Sequence, residues 1–86
     1  MKQDEDIKPK KSELEALLHL YNNGQYNKAI SETDKLTLKY NKNSFLYNLR
    51  GACLSEIGDL DASIQSLEKA ISLKHDYAEA LFNIGV

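Results

Sequence analysis

The sequence predicts an all-α fold of antiparallel helix-turn-helix repeats, and three observations carry the prediction. The four glycines form two pairs, Gly24 with Gly58 and Gly51 with Gly85, each pair 34 residues apart; a fixed period of about 20–50 residues is the mark of stacked supersecondary units. The neighbours repeat as well: Asn48-Leu49-Arg50-Gly51 answers Phe82-Asn83-Ile84-Gly85, and Gly24-Gln25-Tyr26-Asn27-Lys28-Ala29-Ile30 answers Gly58-Asp59-Leu60-Asp61-Ala62-Ser63-Ile64. Leu14, Leu17, Leu18 and Tyr21 follow the i, i+3, i+4, i+7 spacing of a helix with one buried face.

Each element has its own signals. Residues 1–11 hold mixed charge, a lone isoleucine and the only proline. They bury too little to offset their ordering entropy and are expected to form a flexible charged tail, with Lys8, Lys10 and Lys11 solvated or touching an acidic partner. Order is expected from Ser12, where Ser12-Glu13-Leu14-Glu15 has the capping-box pattern. A first helix runs from there to about Asn22, and Asn22-Asn23-Gly24 stops it. A second helix, with Tyr26, Ala29, Ile30, Thr33 and Leu36 as its inner stripe, continues to about Tyr40. Asn43 or Ser44 can cap a third over about 45–57, with Tyr47, Arg50, Gly51, Leu54 and Ile57 inward. After Gly58-Asp59 a fourth covers 60–73, with Leu60, Ser63, Ile64, Leu67, Ala70 and Ile71 on one side. His75-Asp76 is a connector, and Asp76-Tyr77-Ala78-Glu79 has the spacing that starts a fifth helix. Connectors this short force consecutive helices to lie antiparallel and adjacent.

Composition narrows the function. Eighty-six residues make one small domain, and a net charge of −2 gives no strong field toward nucleic acid or an acidic membrane surface, so neither is an expected partner. The lone Cys53 can form no intramolecular disulfide, which fits a reducing compartment. No stretch approaches the roughly 20 apolar residues of a membrane span, and no signal peptide is visible, so a cytoplasmic protein is expected.

The repeated residues support a family resemblance. Tyr47-x-x-Arg50-Gly51-x-x-Leu54 followed by Ser63, Leu67 and Ala70 resembles the tetratricopeptide (TPR) pattern W-x2-L-G-x2-Y…A-x3-F, and Leu81-x-x-Ile84-Gly85 restarts it. In the first unit, Leu14-x-x-Leu17-Leu18-x-x-Tyr21 fits if one residue is missing from its turn and Leu18 replaces the small residue, while Thr33 and Leu36 replace an aromatic and an alanine. The domain would then span 12–86, with a first repeat at about 12–43, a second at about 44–77 and the start of a third at about 78–86. The resemblance implies a right-handed α-solenoid of two repeats plus a terminal helix. It also implies a protein-interaction scaffold without catalysis, binding a peptide or a partner's helix in a concave groove. Carried over residue by residue, the groove phase selects Glu15, His19 and Asn22 from the first helix, and Asn48, Ala52, Ser55 and Glu56 from the third. From the fifth it selects Glu79, Phe82 and Asn83. Asn48 and Asn83 offer carboxamide donors and acceptors, and Phe82 is an aromatic anchor or a residue covered by a further helix. The groove shows glutamates and asparagines where a carboxylate clamp would show paired cations, so a neutral or basic peptide is expected.

Catalysis finds no support. His19 and His75 lie on different elements, and no nucleophile elbow, phosphate loop or metal signature is present, so no metal or cofactor is expected. Asp59-Leu60-Asp61 reads as a helix start rather than a metal motif, and Cys53 as a covered structural thiol. Beyond the fourth helix, Tyr77, Leu81, Phe82, Ile84 and Val86 are apolar on more than one side. That leaves two further readings open. The chain is the N-terminal part of a longer array, preceding for example a glycosyl- or sulfotransferase domain, or it self-associates through its last helix as a homo-oligomer.

Overall fold

The computed structural model of the chain describes residues 9–73. Four helices follow one another: α1, Lys11–Asn22; α2, Tyr26–Lys39; α3, Ser44–Glu56; and α4, Leu60–Leu73, with no strand among the described residues. Each helix packs on the next, so the chain zigzags as two hairpins sharing the seam between α2 and α3. The fifth helix expected after Asp76, and most of the expected tail, lie outside the described residues.

Both hairpin turns have the same hydrogen-bond pattern. Gly24 N–H donates to Tyr21 O at 3.0 Å and Gln25 N–H to Leu20 O at 2.9 Å. Thirty-four residues on, Gly58 N–H donates to Ser55 O at 3.1 Å and Asp59 N–H to Leu54 O at 2.9 Å. This pair of bonds is the Schellman motif, which needs a left-handed residue after the helix. Gly24 and Gly58 supply it with φ of 74° and 89°, values a side chain penalises.

The identical turns correct the expected alignment of the first unit. No residue is missing from its turn; α1 is instead one residue shorter than α3 at its start, 12 residues against 13. With the turns superposed in sequence, Leu17 stands where the second unit has Gly51, and it is 1% exposed, whereas Leu18 is 40% exposed. Leu17, not Leu18, therefore replaces the small residue.

The start of α1 also differs from expectation. The cap is Lys10, in extended backbone, and Glu13 Oε1 accepts its N–H at 2.8 Å. Ser12 lies within the helix. The same Glu13 oxygen also accepts the Tyr40 hydroxyl at 3.1 Å, a bond between the start of α1 and the end of α2. Glu15 is left with a surface pair to Lys11 at 3.9 Å. Asn43 caps α3 as expected, its side chain accepting Leu46 N–H at 3.0 Å.

One apolar cluster holds the first three helices together: Leu17 of α1, Ala29 of α2, Tyr40, and Leu46, Leu49 and Cys53 of α3. The i, i+3, i+7 row Leu46, Leu49, Cys53 buries a second face of α3, which the reading of a single inward stripe overlooks. The first face meets α4. There a Cβ on Gly51 would lie 2.7 Å from both Cγ and Cδ2 of Leu67, and Ser63 Oγ donates to Gly51 O at 2.7 Å. The glycine lets α3 and α4 approach until backbone and side chain interlock. Ile57, Leu60 and Ile64, expected inward, are 44%, 61% and 45% exposed. Arg50 is not an apolar substitute in its slot. It reaches out of the seam, its Nε donating to Asp34 Oδ1 of α2 at 2.7 Å and its guanidinium to Ser66 Oγ of α4 at 2.6 Å. Thr33, in an aromatic slot, is fully buried with its hydroxyl donating to Ile30 O at 2.8 Å.

Candidate partner-binding surface

The surface expected to bind a partner is formed by the first helix of each hairpin, α1 and α3. On α3 two faces are taken by the seam and by α4, and the residues left toward solvent are Ala52, half-buried, with Ser55 and Glu56, exposed. The 34-residue register of the turns matches Ala52 with Leu18, Ser55 with Tyr21 and Glu56 with Asn22. Leu18 and Asn22 are likewise exposed, so the two helices present an apolar position followed one turn later by a polar one. Tyr21 is half-buried against the cluster, its ring edge-on to Tyr26 with centroids 5.5 Å apart. Burial raises its hydroxyl pKa above the ordinary tyrosine value, and the negative charge of nearby Glu56 raises it further.

The other expected groove residues fall elsewhere. Asn48 is not an exposed carboxamide: it is 6% exposed and its polar groups are already engaged. Glu15 is exposed beside Lys11. His19 lines a different feature, a half-open cavity of about 420 Å³ between α1 and α2. Ala16, Leu17, Leu20 and Leu36 line it together with Glu13, Lys28 and Glu32. Glu79, Phe82 and Asn83 lie outside the described residues. Leu18, which the sequence reading does not select, is exposed and is matched with Ala52 by the Gly24–Gly58 spacing.

Asp59 and Cys53 have structural surroundings. Asp59 Oδ1 accepts Ala62 N–H at 3.4 Å at the start of α4, the capping role its position suggested. Cys53 is fully buried, and desolvation pushes its thiol up to about 11, with Glu56 adding to the shift. Among the described residues no group of three His, Cys, Asp or Glu is placed to hold a metal ion, and no helix is long and apolar enough to cross a membrane.

Residues 54–86 match a family model described as TPR repeat. The match covers 33 of the 86 residues. No curated protein and no solved structure matches it. The matched segment begins at Leu54, whose carbonyl closes the second Schellman turn, and includes all of α4. The four helices have the all-α, TPR-like repeat architecture that the glycine period predicts. TPR repeats are protein-interaction modules, typically scaffolds without catalysis.

Proposed function

We propose that this chain is a cytoplasmic protein-interaction scaffold whose concave face, lined by α1 and α3, takes an extended peptide or a partner's helix. One observation carries the reading. Register-equivalent positions 34 residues apart on α1 and α3, Leu18 with half-buried Ala52 and Asn22 with Glu56, share one solvent-facing row. Apolar positions flanked by polar ones, on rigid helices, are what a bound segment needs for anchoring and for orientation. The face carries Glu56 and no cation among Leu18, Asn22, Ala52 and Ser55, so a neutral or basic segment fits better than an acidic one. Glu15, which lies near its edge, adds to that preference, while His19 and Asn48 drop out of the contact set. Glu79, Phe82 and Asn83 would extend the same face on the next helix.

The test is a panel of extended peptides of graded charge, titrated by fluorescence anisotropy against the full chain and two variants. Ala52→Arg should weaken binding of the neutral and basic peptides at least tenfold. Leu38→Arg, at an 85% exposed site on α2 outside the face, should leave it unchanged. Equal effects of the two substitutions would overturn the assignment.

A further inference from the structure

The first hairpin has a second surface, the cavity between α1 and α2. Lys28, Glu32 and Leu36 follow one another at four-residue intervals along its α2 wall, a different row from Tyr26, Ile30 and Thr33, which face the α3 seam. The structure shows what the equivalent surface does in the second hairpin, because the two hairpins are related by 34 residues. There Ala16, Leu17 and Leu20 become Arg50, Gly51 and Leu54, while Lys28, Glu32 and Leu36 become Ala62, Ser66 and Ala70. At the Arg50 edge of that surface α2 packs against α3. Arg50 grips Asp34 of α2 and Ser66 of α4 together, and Ser66 and Ala70 are 4% and 0% exposed. Among the described residues, the surface that meets a helix at Arg50 in one hairpin is an apolar cavity with exposed Ala16 in the other.

The charge at the centre of the two surfaces is opposite. The second hairpin offers a cation, Arg50, and the helix seated on it answers with the acid Asp34. The first hairpin offers Ala16 and Glu32 at the same two positions. Glu32 has only a solvent-exposed pair with Lys35, 3.5 Å away, which neutralises it weakly. Glu13, at the far end, already accepts from Lys10 and Tyr40. Lys28, one helical turn before Glu32 on α2, and His19 of α1 also line the cavity. We infer that this cavity is a second docking surface, for an amphipathic helix of a partner protein that carries Lys or Arg where α2 carries Asp34. The same comparison rejects a second copy of this chain: its α4 would bring Glu68, 34 residues after Asp34, against Glu32.

Two helix-stabilised peptides test this, one with the sequence of α2, Tyr26–Lys39, and one with Asp34→Arg. Titrated against the full chain, the Asp34→Arg peptide should bind roughly tenfold more tightly than its parent, since attraction replaces repulsion at one partly desolvated position. Copying the second hairpin into the first with Ala16→Arg and Glu32→Ser should reverse the preference toward the parent peptide. Both sites are solvent-accessible, and circular dichroism checks that the double variant is folded. Ala52→Arg, which blocks the concave face, should leave the preference unchanged and so separates the two surfaces. Equal binding of the two peptides, binding of neither, or a preference that the double substitution does not move would overturn the inference.

Discussion

Replacing Gly51 by Ala sets two physical effects against each other, and the structure decides the winner. Intrinsic helix propensity favours alanine by about 1 kcal/mol in a helix interior. Against it stand the contacts of the added Cβ, 2.7 Å from Leu67 Cγ and Cδ2 and 3.2 Å from Ser63 O. Leu67 is 2% exposed, and the clash includes Cγ as well as the tip of the side chain, so relief takes a χ1 change within a closed core or a separation of the helices. Overpacking of this kind costs about 1–3 kcal/mol. Separation also stretches the buried bond from Ser63 Oγ to Gly51 O, now 2.7 Å, worth about 1 kcal/mol. The net expectation is a loss of about 2 kcal/mol, which lowers Tm by roughly 8–16 °C in a domain of this size. Urea titration followed by circular dichroism measures it. Leu67→Ala alone should cost about 2–5 kcal/mol, but the pair of substitutions should cost less than their sum, because removing the leucine makes room for the methyl group. A Gly51→Ala protein as stable as the parent, or strict additivity with Leu67→Ala, would refute the close-approach argument.

Two further expectations concern titrating groups. The Glu13 carboxyl is held below its ordinary value, chiefly by the Lys10 N–H and also by the Tyr40 hydroxyl; a depressed folded-state pKa gives stability present above the unfolded value and lost as pH falls through the folded one. Glu13→Gln should therefore make the acid side of a Tm-against-pH curve shallower below the usual carboxylate range, and an unchanged slope would count against the bond. Cys53, pushed up to about 11 by burial, should react with a thiol reagent near pH 8 only as fast as the seam opens, so alkylation should accelerate with urea in step with unfolding. Rapid alkylation in the absence of urea would contradict the burial.

The boundaries of α2 and α4 and the function of both turns were legible in the sequence because they rest on local rules: glycine punctuation, helical periodicity and polar caps. What was not legible depended on residues far apart in the chain. Glu13 closes the helix start from Lys10 and also accepts the Tyr40 hydroxyl, a bond that no spacing rule encodes. The row Leu46, Leu49, Cys53 was visible as apolar periodicity, yet a reading that allots one buried face per helix has no place for it. The groove positions on α1 slipped by one residue for a related reason: aligning leucine with leucine ignored the turns, whose glycines set the register. Arg50 occupies an apolar slot because the charge it needs stands sixteen residues earlier in the chain, at Asp34.

That two-sided helix has a consequence for how the molecule comes apart. Opening the first hairpin strips cover from Leu46, Leu49 and Cys53, and releasing α4 strips it from Gly51 and Leu54, so either event exposes α3. The Arg50 guanidinium is tied to both sides: loss of α2 removes Asp34, and loss of α4 removes Ser66. The two repeats are thus a single cooperative unit rather than separable modules, and a cleavage at the Asn41–Asn43 connector would leave neither fragment with a finished core.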